Sequence, residues 1–356
     1  MWPDRRICDL LGIEHPIIQA PMTGSCTPQL AAAVANAGGL GSMGCAGKSV
    51  EKIRQEVDAL KAASNHGYNL NFFATEASRT DPATLAHTRE RLQPWFEKYD
   101  LGPPPEEVPP VGPGFDAERL DLVLELRPRV VSFHFGQPDV ETIALLKDAD
   151  IILLSTATNV QEAKALEAAG MDAIIAQGWE AGGHRGSHTV TEPMQGVGTM
   201  ALVPQIVDAV SVPIIAAGGI ADGRGIAAAF ALGASGVQLG TAFLSCPEAA
   251  TDPTRRARLQ NATDQDTMVT DAVSGRCART ARSNYAASME AARAPLPGFR
   301  QLSALVEPLL KAADDDDASF HLYGQAAALN REMPAAELID WLIDDTGKAI
   351  AKLSPR

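Results

Sequence analysis

Short apolar runs bounded by glycine or proline recur along the chain: Ile17 to Ala20, Leu40 to Met43, Tyr68 to Phe73, Val130 to Phe135, Ile151 to Ser155, Ala173 to Gln177, Pro213 to Ala217 and Gly236 to Phe243. Most of the intervals between them hold Ala- and Leu-rich stretches with helical spacing, among them PQLAAAVANAG, NVQEAKALEAAG and GRGIAAAFALG. The last two close on a glycine, the residue that most readily takes the left-handed conformation at a helix stop. Strand and helix therefore alternate. Several strands are continuously apolar rather than alternating, the pattern of parallel strands buried on both faces. Eight such units predict an α/β fold, a (β/α)8 TIM barrel. Periodicity alone does not show closure, so an open doubly wound sheet is the alternative; no GxGxxG follows the first strand to favour it.

Two segments stand outside the repeat. The first, about 76–129, holds a charged helical stretch and then LGPPPEEVPPVGPGF, whose prolines and glycines forbid regular structure and predict an inserted excursion, a lid or an interface. The second runs from Pro247 to the C-terminus, is largely helical in pattern, and ends in PAAELIDWLIDDTGKAIAKL, an amphipathic helix expected to pack on the barrel wall. The organisation expected is a barrel over 1–246 carrying the insertion and a helical C-terminal appendage over 247–356.

Length agrees: 356 residues exceed the typical barrel of about 250 by an insertion and an appendage. With 46% hydrophobic and 21% charged residues the chain has enough apolar material for a full core. The net charge of −14, to which the Asp314 to Asp317 run contributes, leaves no basic footprint for nucleic acid, and the run itself reads as solvated. The five cysteines are scattered and form no CxxC pair, which disfavours a disulfide framework and zinc and points to a reducing interior. The N-terminus lacks the run of a signal peptide, and no stretch reaches roughly 20 apolar residues, so a cytoplasmic protein without a membrane partner is expected.

In such barrels the active site lies at the carboxyl ends of the strands, and a phosphate is commonly held after the seventh and eighth. Here the seventh strand ends in PIIAAGGIADGRG, where Gly218 and Gly219 let the backbone approach a ligand and the next helix would offer its first N–H groups to an anion. The eighth ends in VQLGTAF, with Gly240 and Thr241. Tight strand-to-helix turns are the plain alternative for each loop alone; their coincidence at these two positions points to phosphate. The loop after strand six, QGWEAGGHRG, has four glycines in nine residues, which fits close approach to a flat ligand, and His184 within it stands where a general base belongs. His134, in VVSFHFGQP, points toward the same pocket by strand parity, with a hydrogen-bonded core histidine as the alternative. The remaining histidines have no comparable setting, although His188 would help shape the loop. No paired carboxylates at strand ends, no GxSxG and no metal-ligand spacing appear, which removes hydrolase readings.

Taken together and in this order, QAPM with the helix after it, NLNFF, VSFHFG, QGWEAGGHRG, AAGGI and QLGTAF resemble the nitronate monooxygenase family, formerly 2-nitropropane dioxygenases, over roughly Leu10 to Pro247. The resemblance implies a flavoprotein with non-covalent FMN. Ala20, Pro21 and Met22 would lie beside the isoalloxazine, Asn71 and Gln177 would hydrogen-bond the cofactor, and Gly182 and Gly183 would back it. The phosphate would rest on Gly218, Gly219, Gln238, Leu239, Gly240 and Thr241, in agreement with the cradle inferred from strand position. His184 would take the proton next to the nitro group, while nitronates, already anionic, pass an electron directly to the flavin. Dioxygen then completes an oxidative denitrification to a carbonyl compound and nitrite. His134 as a substrate-binding residue, with Arg185 near the rim, would favour a small anion such as propionate 3-nitronate.

The EAGGH loop also resembles that of FMN-dependent NAD(P)H:quinone and enoyl-acyl-carrier-protein reductases, the closest rival. A non-redox phosphate-binding isomerase or aldolase would need a catalytic Lys or Glu at a strand end, where none clearly stands. Departures from the pattern are the proline-rich excursion and the tail HLYGQAAAL, in which Tyr323 either reaches the flavin or packs in the core. The expected partners are a small-molecule nitronate or nitroalkane and dioxygen, with monomer and homodimer both open.

Overall fold

Each of the eight apolar runs forms a strand in the computed structural model, which describes residues 2–189, 195–292, 294–314 and 316–353. In chain order they are β1 (Ile17–Gln19), β2 (Gly41–Gly44), β3 (Tyr68–Phe73), β4 (Val130–His134), β5 (Ile152–Ala157) and β6 (Ala173–Gln177). A two-residue strand, β7 (Gly183–His184), then precedes β8 (Ile214–Ala217) and β9 (Gly236–Leu239), and the appendage adds β10 (Thr267–Thr270) and β11 (Ala278–Ala281). Eight of these pair in parallel in the order β1-β9-β8-β6-β5-β4-β3-β2, and an Ile18–Leu40 bridge joins the two ends, so the sheet is a barrel and not an open one.

Strand and helix alternate because each helix is told where to begin. Thr27, Ser49, Asp139 and Asn159 each accept a hydrogen bond from the backbone N–H three residues on, capping helices Pro28–Asn36, Val50–Ala63, Val140–Asp148 and Val160–Ala168. Gly170 (φ +94°) and Gly233 (φ +93°) take the left-handed conformation just past Val160–Ala168 and Gly223–Ala231, as their place in the sequence predicts.

The continuous apolar strands are buried on both faces for two different reasons. Outward residues such as Leu70, Phe72, Val131, Leu153 and Ile174 pack with the helices in the main core. Inward residues such as Ile18, Val130, Leu154, Ile175 and Ile215 fill the barrel, and Ile7, Cys8 and Leu11 of the first helix, Arg6–Leu11, join them. Toward the carboxyl ends the inward series turns polar, with Asn71, His134, Thr156, Gln177 and Gln238 lining a cavity. That change along one face of the sheet places the site.

The segment 76–129 is less of an excursion than its sequence implies. Helix Ala117–Leu126 completes the third barrel unit, burying Leu122 and Val123 in the main core. Helix Pro82–Lys98 does leave the barrel, and its Leu92 and Phe96 share a separate core with Val273, Tyr285, Leu302, Leu305 and Leu309 of the C-terminal region. Asp317, from the acidic run, accepts hydrogen bonds from Lys98, Tyr99 and Asn284, so this carboxylate ties the insertion to the appendage; Asp315 lies outside the described residues.

The C-terminal region is not simply helical. Besides helices Pro253–Gln260, Asn284–Ala292, Gln301–Ala312 and Ala335–Leu353 it contains the antiparallel pair β10–β11, to which β7 adds as a third strand. Four-residue strands carry too little periodicity to be told from loops. The last helix packs on Pro28–Asn36 and Gly223–Ala231, the barrel wall, as its amphipathic pattern predicts. Among the described residues no helix is long and apolar enough to cross a membrane, all five cysteines are free and buried, and no three metal-ligating side chains gather.

Packing between β2 and its helix is close enough to demand glycine: a Cβ on Gly41 would lie 2.0 Å from the Ala31 carbonyl oxygen. Gly41→Ala is expected to destabilise the fold by at least about 1–3 kcal/mol, seen as a lower urea midpoint; an unchanged midpoint would show that the helix can retreat freely.

Candidate active site

The carboxyl ends of the barrel strands open into a cavity of about 420 Å³. Ala20, Pro21 and Met22, from the turn after β1, line it, as do Asn71 of β3, Gln177 of β6 and Gln238 of β9. Gly182, Gly183, His184, Gly218, Gly219, Gly240 and Thr241 border it as well, so the residues singled out in the sequence meet in one place, apart from Leu239 and Arg185. The Leu239 side chain faces the helices in the main core, and only its carbonyl, which accepts from Ala20 N at 2.8 Å, serves the site.

Several of these positions are prepared for a ligand with polar groups. The Gln238 Oε1 atom is buried without a hydrogen-bond partner, an acceptor awaiting a donor. Asn71 gives its amide hydrogens to Ser132 O (3.1 Å) and Ser132 Oγ (2.9 Å), which leaves its side-chain oxygen for the cavity. Gly218 (φ +103°) and Gly219 (φ +73°) hold conformations that other residues resist, and a Cβ on Gly240 would meet nothing nearer than Ala20 Cβ at 3.4 Å. The cradle is thus made of loop backbone.

The expected contribution of a helix N-terminus to that cradle is not found. Asp222 accepts from the amides of Arg224 (3.0 Å) and Gly225 (3.1 Å), and Asp345 of the last helix accepts from Gly223 N (2.8 Å). The first N–H groups of Gly223–Ala231 are therefore taken by carboxylates, which also place negative charge there. The amides of Gly219 and Gly240 donate to no other group among the described residues, so an anion would be held by the loops themselves.

His184 is positioned by its backbone. Its strand β7 pairs antiparallel with β11, opposite Ala278. Its carbonyl accepts from Gln177 Nε2 at 2.9 Å and His134 Nε2 at 3.1 Å. The ring is enclosed by Phe73, Phe135, Phe299 and Phe320, with centroids 5.2 to 6.3 Å away, and its Nε2 lies 2.9 Å from Ser274 Oγ. Burial pushes the imidazole down to about 3, with repulsion from His134 and Arg276 acting in the same direction. Among the described residues no carboxylate pairs with it, and the lowered pKa leaves the ring neutral across the physiological range.

His134 reaches the cavity as strand parity predicts, but both its nitrogens are engaged. Its Nε2–H donates to the His184 carbonyl, so Nδ1 accepts from Thr156 Oγ1 at 3.0 Å. Burial lowers it to about 4, the bond to the His184 carbonyl working against the shift. Its part in the site is to hold His184. Gln177 acts similarly, bonding the His184 carbonyl and accepting from Gly186 N at 2.8 Å, with one amide hydrogen left for a ligand.

Arg185 is not at the rim. It is buried, its guanidinium donates to Gln177 O (3.1 Å) and Gly178 O (2.8 Å), and it lies over the Trp179 ring. Gly182 is needed for a different neighbour than a flavin: a Cβ there would lie 2.4 Å from the Tyr323–Gly324 backbone. Tyr323 packs in the core and also borders the cavity.

Glu162, on helix Val160–Ala168, went unnoticed in the sequence because it sits in a stretch that reads as solvent-facing. It is fully buried and accepts from Thr158 N and Oγ1, Ser187 Oγ, His188 N, and Thr189 N and Oγ1. Burial alone would raise its pKa; the bonds from Ser187 and Thr158 outweigh that and hold it below the usual carboxylate range. This ionised carboxylate fastens the far end of the His184 loop. Ser274, Phe299 and Phe320 were missed for another reason: they lie in the C-terminal region, and no local pattern marks them as neighbours of a residue in the barrel.

Residues 4–345 match the profile of the family described as nitronate monooxygenase. The chain is 43% identical to a nitronate monooxygenase of Paraburkholderia phytofirmans over 98% of this chain and 97% of that one. A nitronate monooxygenase of Pseudomonas aeruginosa is 42% identical over 96% and 98%. Among solved structures, a nitroalkane oxidase from Streptomyces ansochromogenes has a TM-score of 0.88 at 35% identity, covering 98% of this chain and all (100%) of the other. FabK from Thermotoga maritima has a TM-score of 0.76 at 30% identity, with 99% of both chains covered. The likeness extends past Pro247 through the ribbon and the helices beyond it, where the motifs had stopped. Barrel, glycine loops and buried histidine belong together, and the chain is a member of the nitronate monooxygenase family, enzymes that oxidise nitronates.

Proposed function

We propose that the cavity binds FMN and that the protein converts alkyl nitronates and dioxygen to a carbonyl compound and nitrite, with His184 as the base that admits neutral nitroalkanes to the same reaction. One observation carries this reading: a neutral, phenyl-enclosed imidazole borders the same cavity as an unpartnered glutamine oxygen and a cradle of glycine amides. Gln238, Asn71 and Gln177 offer hydrogen-bonding atoms suited to a flavin ring and its ribityl chain, and the loops at Gly218–Gly219 and Gly240–Thr241 suit the phosphate. When bound, FMN would supply the electron acceptor that links nitronate oxidation to dioxygen.

For a neutral nitroalkane, His184 takes the proton on the carbon bearing the nitro group. A charged imidazole could not do so, and the phenyl rings that keep it neutral also exclude water that would compete for it. Among the described residues the imidazolium then formed has no carboxylate to stabilise it; the nitronate produced beside it is its counter-ion. A preformed nitronate needs no such step, and the chain's task is reduced to holding it against the cofactor. His134 has both ring nitrogens engaged and Arg185 does not line the cavity, so neither argues for a substrate carboxylate, and the phenyl-lined walls suit small alkyl nitronates.

Purified protein is expected to be yellow and to release FMN into the supernatant on heating, and Gln238→Leu should weaken reconstitution with FMN; protein that takes up no FMN overturns the proposal. His184→Asn should lower turnover of neutral nitroalkanes by about a hundredfold and spare nitronates, whereas unchanged nitroalkane turnover would refute the base. Because the base must be neutral and its pKa is lowered to about 3, nitroalkane turnover should stay level as pH falls from 8 to about 4 and decline only below that. Anaerobic mixing separates the reductase reading that the EAGGH loop suggests: a nitronate should bleach the flavin quickly and NADH should not.

A further inference from the structure

We propose that Ser274 is a positioning residue that holds His184 in the tautomer protonated at Nε2, so that Nδ1 is the atom that takes the substrate's proton. The inference rests on the reading of His184 as base and specifies how that base is set.

Ser274 Oγ has two neighbours, His184 Nε2 at 2.9 Å and the Arg276 carbonyl at 3.1 Å. A hydroxyl carries one hydrogen, and a carbonyl can only accept. With that hydrogen on the Arg276 carbonyl, the serine oxygen meets His184 with a lone pair, and Nε2 must carry a proton. Turning the hydroxyl toward His184 would leave the Arg276 carbonyl, which has no other donor among the described residues, unbonded. Both contacts are satisfied only when Nε2–H donates to Ser274, and that leaves Nδ1 unprotonated.

Among the described residues the ring makes no other hydrogen bond that competes for this choice. The other close neighbours are Phe73, Phe135, Phe299 and Phe320, which fix the plane of the imidazole but offer no hydrogen-bonding atom. Among the described residues Nδ1 has no partner, and the side chain borders the cavity. Ser274 is itself held firmly: it is buried, its carbonyl accepts from Arg300 N at 3.0 Å, and the turn around it closes with Gly275 N on Asp271 O at 2.8 Å. Gly275 has φ +78°, and a Cβ there would lie 2.4 Å from the Pro297 carbonyl oxygen, so the turn is pressed against the segment leading to Phe299. The base comes from the barrel and its orienting hydroxyl from the C-terminal ribbon, which makes the ribbon part of the site and not only a cover.

The test uses FMN-loaded protein with 15N-labelled histidine and a paired kinetic measurement. In the wild type at neutral pH, the His184 resonances should show a protonated Nε2 and an unprotonated Nδ1; the opposite pattern overturns the proposal without any variant. Ser274→Ala should mix the tautomers and lower kcat/KM for a neutral nitroalkane by at least about tenfold, while turnover of its preformed nitronate stays within about twofold. Ser274→Thr, which keeps the hydroxyl, should restore both. Equal losses for nitroalkane and nitronate would mean that Ser274 merely supports the fold, and an unchanged nitroalkane rate would mean that it does not position the base. If His184→Asn lowers nitroalkane turnover and Ser274→Ala does not, the proposal about Ser274 fails alone; if His184→Asn has no effect, the base reading fails with it.

Discussion

The pairing of a two-residue strand, Gly183–His184, with the C-terminal ribbon is the constraint on which the site depends. A loop containing four glycines would otherwise sample many conformations and place a histidine nowhere in particular. Here its backbone is stitched to β11 on one side, its His184 carbonyl is held by Gln177 and His134, and its far end is gathered by Glu162. The glycines supply close approach, for the Tyr323–Gly324 backbone as much as for a ligand, and the hydrogen bonds remove the freedom that they bring.

The same fastening explains the electrostatics. Among the described residues His184 has no acidic partner, and it is ringed by phenyl groups, so its neutrality follows from burial. The two arginines near the loop do not line the cavity: Arg185 donates to backbone carbonyls, and Arg276 lies 3.9 Å from the centre of the Phe135 ring while donating to Ser187 O. Both reinforce the loop, and Arg276, as a cation, further disfavours a protonated His184. The overall charge of −14 has little to do with this site, because the groups that decide its chemistry are buried and near.

Insertion and appendage also have a shared purpose. The helix Pro82–Lys98 and the C-terminal helices bury Leu92, Phe96, Tyr285 and Leu305 in a core of their own, and Asp317 links the two across more than two hundred residues of chain. That small core supports the ribbon and the segment carrying Phe299, and through them one side of the cavity. The prolines between the insertion's helices read as a lid; the helix before them is a buttress.

The sequence by itself determined the eight strands, because a strand buried on both faces must be apolar at nearly every position and so announces itself without partners; that they close into a barrel was decided by the tertiary structure, where Ile18 meets Leu40. It also determined the glycine loops and the place of His184, since strand ends and turns are local properties. Only the tertiary structure decided which atoms are left free. The first amides of Gly223–Ala231 look available in the sequence, yet Asp222 beside them and Asp345, more than a hundred residues away, take them. Arg185 and His134 look ready for a substrate; instead Arg185 is buried and donates to backbone carbonyls, and His134 has both ring nitrogens engaged by a carbonyl and a hydroxyl. Ser274, Phe299, Phe320 and Glu162 have no local signature at all. Hydrogen-bond saturation and enclosure depend on what the folded chain brings within about 3 Å, and distance in space is the quantity that a linear pattern does not encode.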